Sequence, residues 1–113
     1  MERLTHYQDI IHREIATLAE RYGTSHDSEI DQIVVIDDTH GVYLIYQLGW
    51  QEHDRVKVPW VQIRLKNGKF WIEEDWTQES IVERLLAAGV PNEDIVLAFN
   101  PPDMRQYTEF AVA

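Results

Sequence analysis

The chain has 113 residues, 44% of them apolar, with four Trp, five Tyr, three Phe and no Cys, which suits one domain with its own core and excludes both a disulfide scaffold and a thiolate metal site. No apolar run approaches the ~18 residues of a membrane span, and Met1-Glu2-Arg3-Leu4 lacks the basic-then-apolar layout of a secretory leader, so a soluble cytoplasmic protein is expected. Twenty Asp and Glu against ten Lys and Arg give a formal charge of −10; duplex DNA carries about one negative charge per 1.7 Å of axis, so the balance argues against direct nucleic-acid binding and suits a solvated surface or a basic protein partner.

Glu2 to Tyr22 reads as an amphipathic helix, because Leu4, Tyr7, Ile11, Ile15, Leu18 and Tyr22 recur at three- and four-residue steps and fall on one face. Gly23 follows as a stop, and Thr24 to Ser28 is a short polar connection. From Glu29 the period changes to two. Ile30–Ile36 predicts a strand, Asp37-Asp38-Thr39-His40-Gly41 a turn, Val42–Trp50 a partner strand, and Gln51–Arg55 a second turn. Val56–Lys66 predicts a third strand, bent or bulged at Pro59 because proline cannot donate to a ladder.

Asn67-Gly68 is the clearest local signal. A two-residue Asn-Gly loop between apolar alternations favours a type I′ hairpin and sets the register. Counted outward, Lys66 faces Lys69, Leu65 faces Phe70, Arg64 faces Trp71, Ile63 faces Ile72 and Gln62 faces Glu73. Leu65, Phe70, Ile63 and Ile72 then share an apolar face. Arg64 over Trp71 is a cation–π pair in this reading, worth about 0.5–1 kcal/mol if exposed. Thr77 predicts the N-cap of a second helix with Glu79 in its first turn; Ile81, Val82, Leu85 and Leu86 form the buried stripe, and Gly89 and Pro91 close it. Pro91–Asp94 predicts a helical turn, and Ile95–Phe99 a short strand or buried loop. Pro101-Pro102 blocks regular helix, and the tail from Met104 predicts one helical turn and then an extended segment. The expected architecture is α+β: an N-terminal helix, a four-stranded antiparallel meander, a second helix and a docked C-terminal tail, with both helices on one face of the sheet.

Residues of catalytic type form no recognisable motif. No Walker loop, dinucleotide fingerprint or nucleophile elbow is present. No Lys has an acidic residue two positions before it, so the Glu/Asp-x-Lys pattern of a common nuclease class is missing. His6 and His12 lie roughly opposite on a helix, and His26 and His53 each precede an Asp in loops. Asp37, Asp38 and His40 share one turn and offer oxygen and nitrogen ligands, so a metal or small-ligand site there, with a pocket under the tail, is an alternative. Glu73-Glu74-Asp75 reads as a solvated strand end. Arg55, Lys57, Arg64, Lys66 and Lys69 hold five of the ten basic residues within fifteen positions, either the solvated side of two strands or a basic face for direct DNA binding. The four Trp exceed what two small helices can cover; Trp71 and Trp76, with Tyr43 or Tyr46, are expected at the surface, where Trp, Tyr and Arg dominate interface energetics. The tail ends Tyr107-Thr108-Glu109-Phe110-Ala111-Val112-Ala113, too apolar for a frayed end. Tyr107, Phe110 and Val112 are expected to clasp the domain, leaving Arg105 and Glu109 free. The expected partner interface is Arg64, Trp71, Trp76, Arg105 and Glu109, and open sheet edges point also to self-association.

The chain resembles the XisI-like family, controlling factors for excision of a DNA element inserted in the fdxN gene. The resemblance rests on Tyr7-Gln8-Asp9-Ile10-Ile11, Leu48-Gly49-Trp50, Asn67-Gly68-Lys69-Phe70-Trp71-Ile72, the run from Gly89 to Phe99, Pro101-Pro102 and the run from Arg105 to Ala113. It implies an accessory factor acting beside a site-specific recombinase, found mainly in cyanobacteria, with an XisH-like partner of restriction-nuclease type. It brings no catalytic, cofactor-binding or metal-binding residues, and it implies binding and modulation of that partner in place of catalysis.

Overall fold

The computed structural model describes residues 2–21 and 29–113. The expectations on Tyr22, Gly23, the 24–28 connection and His26 lie outside these residues. Helix α1 runs Glu2–Arg21 and buries Tyr7, Ile10, Ile11, Ile15 and Leu18. Leu4, expected on the same face, is exposed, because it lines a cleft beyond the core.

The sheet has five strands in the order β1 (Ile30–Asp37), β2 (Val42–Gln51), β3 (Asp54–Lys66), β4 (Lys69–Asp75) and β5 (Ile95–Leu97). β1 to β4 form the expected antiparallel meander, but β5 pairs parallel to β4, so a four-stranded antiparallel sheet is corrected to a five-stranded mixed one. Parallel neighbours need a crossover, and helix α2 (Ile81–Ala87) lies in it. Ile95 and Val96 are both fully buried, the pattern of a strand covered on both faces.

The hairpin register holds from Lys66–Lys69 to Ile63–Ile72 and then slips, so that Gln62 pairs with Glu74 and not with Glu73. Glu73 is the extra residue of a bulge in β4. A second bulge lies in β3: Ile45 pairs with Val61 and Tyr46 with Pro59, leaving Trp60 over. β4 reaches β3 only from Val61 onward, so Pro59 withdraws no donor from that ladder.

The N-cap of α2 is Ser80, whose Oγ accepts from the Glu83 amide, and not Thr77. Thr77 instead donates its hydroxyl and its amide to Asp75, and the other Asp75 oxygen accepts from the Ile81 amide. Glu79 therefore precedes the helix, where its carboxylate pairs with Arg21 and Arg84. At the far end Gly89, at φ +98°, follows the cap. The amides of Gly89 and Val90 bond the Leu86 and Leu85 carbonyls, a Schellman closure completed by buried Val90.

Both helices pack on one face, where α1 and α2 meet Tyr43, Ile45, Val61, Ile63, Leu65, Phe70, Ile72 and Ile95 in a single core. Each fully buried side chain of this size contributes about 1.5–3 kcal/mol. A 3-10 turn (Asn92–Asp94) leads into β5, and a second (Pro102–Tyr107) opens the tail. The tail then runs beside β5, bridging Ala111 to Val96. Its clasp differs from expectation: Phe110 packs against the core, whereas Tyr107 and Val112 are 77% and 52% exposed.

Candidate functional site on the open sheet face

The face opposite the helices is defined by register. Tyr43 and Ile45 of β2 point into the core, so Val42, Leu44, Tyr46, Leu48 and Trp50 point away from it. Their partners share that face: Ile33 and Val35 on β1, and Arg55, Lys57, Pro59, Gln62 and Arg64 on β3. Lys66, Lys69 and Trp71 continue it at the hairpin. All five residues of the basic stretch thus lie on the face that no α-helix covers. Strict alternation would have set Arg55 and Lys57 against Arg64 and Lys66. The extra residue at Trp60 shifts the parity and brings the four together.

Trp71 is the centre of the cluster. Its Nε1 donates to the Lys66 carbonyl at 3.0 Å, which draws the ring toward the Asn67-Gly68 turn. Lys66 Nζ then lies 4.9 Å from the ring centre and the Arg105 guanidinium 5.7 Å. The cations on Trp71 are therefore Lys66 and Arg105, and not Arg64, its neighbour across the strands. At the other end, the Arg55 guanidinium stacks 5.2 Å from the Trp50 ring centre and donates to the Gly49 carbonyl. Arg105, expected free, is half-buried and donates to the carbonyls of Asn100, Ala98 and Val112, so it fastens the tail while its charge stays beside Trp71. Lys69 donates to the Ala113 carbonyl.

By the same register Asp31 and Asp37 of β1 and Glu74 of β4 lie on the open face as well. Among the described residues, the Arg–carboxylate pairs involve Arg3, Arg21 and Arg84, all on the helix side. Among the described residues, none of Arg55, Lys57, Arg64, Lys66 and Arg105 has a side-chain carboxylate partner. Close by in sequence, Glu73 keeps one buried carboxylate oxygen without a hydrogen-bond partner.

The remaining two expected interface residues lie elsewhere. Trp76 follows β4 directly, is 67% exposed and donates Nε1 to Glu74. With Glu74, Asp75 and the exposed Phe99 it lines a cleft of about 220 Å³. Glu109 lines a neighbouring cleft of about 400 Å³ with Phe99, Phe110, Leu86 and Val82. Tyr43, expected at the surface as an alternative to Tyr46, is fully buried.

The turn at Asp37 to His40 does not converge on a ligand. Asp37 accepts from the His40 amide and ring, which holds its carboxyl below the usual range, the backbone bond being the largest cause. Asp38 accepts from the Tyr43 hydroxyl at 2.6 Å and contacts His12 Nε2 at 2.8 Å, and these bonds lower its pKa too. Burial, reinforced by Asp38, pushes the Tyr43 phenol well up. Among the described residues no group of three His, Cys, Asp or Glu side chains is placed to hold a metal. The turn borders a cleft of about 430 Å³ lined by α1 residues, including Arg3, Leu4 and Tyr7, whereas the cleft beside the tail is lined by Glu109 and Phe110 and not by the turn, so the two parts of that alternative are not brought together. Beside it, Arg3 and Tyr7 both donate to buried Asp94. Nothing in the sequence signals this pair of contacts across almost the whole chain.

The family model for the XisI protein matches residues 1–112. The chain belongs to the XisI family. The solved structure of the fdxN element excision controlling factor XisI from Anabaena variabilis ATCC 29413 is 37% identical, covers 98% of this chain and 99% of its own, and superposes with a TM-score of 0.87. An XisI-like protein from the same organism is 29% identical, covers 97% of this chain and 99% of its own, and superposes at 0.90. Comparison with curated proteins gave no match. Among the described residues no helix of this XisI-family chain is long and apolar enough to cross a membrane.

Proposed function

We propose that this chain is an accessory factor controlling excision of a DNA element, and that it works by contacting a protein partner and not by catalysis of its own. The observation that carries the reading is the open sheet face. Among the described residues, Arg55, Lys57, Arg64, Lys66 and Arg105 have no side-chain carboxylate partner, and they lie with the stacked Trp50 and Trp71 where no α-helix covers the strands. Aromatic residues flanked by Arg are the groups that anchor protein interfaces, and these cations select a partner with acidic groups in complementary positions. The relative whose name states excision control aligns over nearly the whole of both chains. The partner we favour is an XisH-like protein of nuclease fold. Co-expression should give a stable complex, and Arg64→Glu with Lys57→Glu should break it while leaving the melting temperature within a few degrees. Two proteins that migrate independently at micromolar concentration would end this reading.

The same face supports a second reading, direct contact with DNA phosphates, since among the described residues Arg55, Lys57, Arg64 and Lys66 have no side-chain carboxylate partner although the chain as a whole is strongly acidic. A retarded band on duplex or single-stranded DNA at low salt, abolished by Arg64→Glu with Lys57→Glu, supports it. No shift on either probe ends it.

A further inference from the structure

Among the described residues, strand β1 is an edge of the sheet, and its run from Ile33 to Ile36 is exposed. Ile33, Val34, Val35 and Ile36 are 40%, 43%, 39% and 42% exposed. Two of them, Ile33 and Val35, point to the open face; the other two point to the helix face. Edge strands are ordinarily blunted with charge, proline or a bulge, yet these four positions are apolar, and the β1–β2 register carries no bulge. A run apolar on both faces is what a strand shows when it is flanked on both sides and covered.

The backbone direction is fixed as well. The Glu29 carbonyl accepts from the Trp50 amide at 3.2 Å. Residues in step with Glu29 therefore turn their backbone groups to β2, and Val34 and Ile36, out of step, turn theirs outward.

We propose that two copies of this chain pair through β1, antiparallel about a two-fold axis at Val35, joining two five-stranded sheets into one. The occupant follows from symmetry. A two-fold perpendicular to the sheet keeps open face with open face and helix face with helix face, so the Ile33–Ile36 run meets itself, apolar against apolar. Charge and apolar overlap then choose the register: an axis at Ile36 sets Val35 and Val34 opposite Asp37 and Asp38. An axis at Val34 sets Asp31 opposite Asp37 of the second copy, and an axis at Ile33 sets Glu29 opposite it, both like-charge pairs. An axis at Val35 sets Ile33 opposite Asp37 and Asp31 opposite Thr39, so no carboxylate faces a carboxylate. Val34 then exchanges both backbone bonds with Ile36 of the second copy on each side of the axis. The two Val35 residues face each other in a non-hydrogen-bonded pair. The inference is independent of which macromolecule binds the open face.

The chain contains no cysteine, which makes the register directly testable. In a non-hydrogen-bonded pair the two α-carbons lie about 4.5 Å apart, inside the roughly 4.4–6.8 Å that a disulfide spans. Sedimentation equilibrium of the parent chain should give a dimer at micromolar concentration. Val35→Cys should oxidise to a covalent dimer much faster than Tyr107→Cys, an exposed control far from the edge. Val34→Lys, at an exposed position that leaves the core intact, should weaken dimerisation at least tenfold with an unchanged far-UV spectrum. Because each copy carries −10, raising salt should tighten the dimer by screening repulsion. A monomer throughout, a Val35→Cys rate equal to the control, or a Val34→Lys dimer as tight as the parent's each overturns the proposal.

Discussion

The tail's apolar hold on the core is Phe110, and Phe110→Ala measures it. Phe110 packs against the core and lines a cleft with Val82, Leu86, Leu97 and Phe99. Truncating a fully buried Phe costs about 3–5 kcal/mol. Phe110 is half-buried, so about half of that, roughly 2 kcal/mol, is expected. For a domain of this size each kcal/mol moves the melting temperature by about 4 °C, so Phe110→Ala should melt roughly 8 °C lower. Tyr107→Ala removes a side chain that is 77% exposed, and it should stay within about 0.5 kcal/mol of the parent. Truncation after Pro102 removes Phe110, the Arg105 bonds and the Ala111 amide bonded to the Ile95 carbonyl, so it should cost more than Phe110→Ala alone. Urea and thermal melts followed by far-UV circular dichroism decide the order. If the Phe110 and Tyr107 variants melt alike, or the truncated chain melts like the intact one, the account of the tail is refuted.

Ser80→Ala should cost about 1 kcal/mol in urea melts, because it removes the Oγ that caps α2. Gly41→Ala should cost roughly 1–3 kcal/mol from strain, since a Cβ there would sit 2.4 Å from the Leu65 carbonyl oxygen at a φ of +65°. Gly68→Ala, at φ +75° with no atom near the added Cβ, should cost less in the same assay. The Tyr43–Asp38 bond predicts a pH profile with two arms. The phenol is raised in the fold, chiefly by burial, so its contribution is complete below the ordinary tyrosine value of about 10 and is lost as pH rises beyond it. Asp38 is lowered, chiefly by the Tyr43 hydroxyl, so its contribution is present above the ordinary carboxylate value of about 4 and is lost as pH falls through the folded one. Tyr43→Phe should flatten the alkaline arm and weaken the acid arm of the urea midpoint plotted against pH.

What the sequence made legible was local. Asn67-Gly68 set four correct cross-strand pairs because a two-residue turn leaves no freedom near itself. The count failed at Glu73, where a bulge inserts a residue that no local pattern announces. Helix α2 was legible as a helix, but Thr77 and Ser80 are both good caps, and the choice fell to Asp75, which closes the loop by bonding Thr77 and Ile81. β5 was ambiguous because three residues show no period, and what identifies it is β4 beside it. Alternation from the turn puts Trp71 on the correct face with Arg64 as its cation, yet the ring's own hydrogen bond turns it to Lys66.

The open face shows most clearly where sequence pattern stops. Arg55 and Lys57 are odd-numbered, Arg64 and Lys66 even, and a straight strand would put the two pairs on opposite sides of the sheet. Divided in that way, neither side gathers enough charge to distinguish a binding face from ordinary solvation. The bulge at Trp60 removes the division. Pro59 marks its position, because a residue without an amide is tolerated where the ladder has already broken and β4 has ended. The proline that reads as a local disturbance is thus the sign of a global one: it locates the step in register that places both halves of the basic stretch on the uncovered side. The chain can then be acidic overall, with its ion-paired arginines on the helices, and still present Arg55, Lys57, Arg64 and Lys66 together on one face.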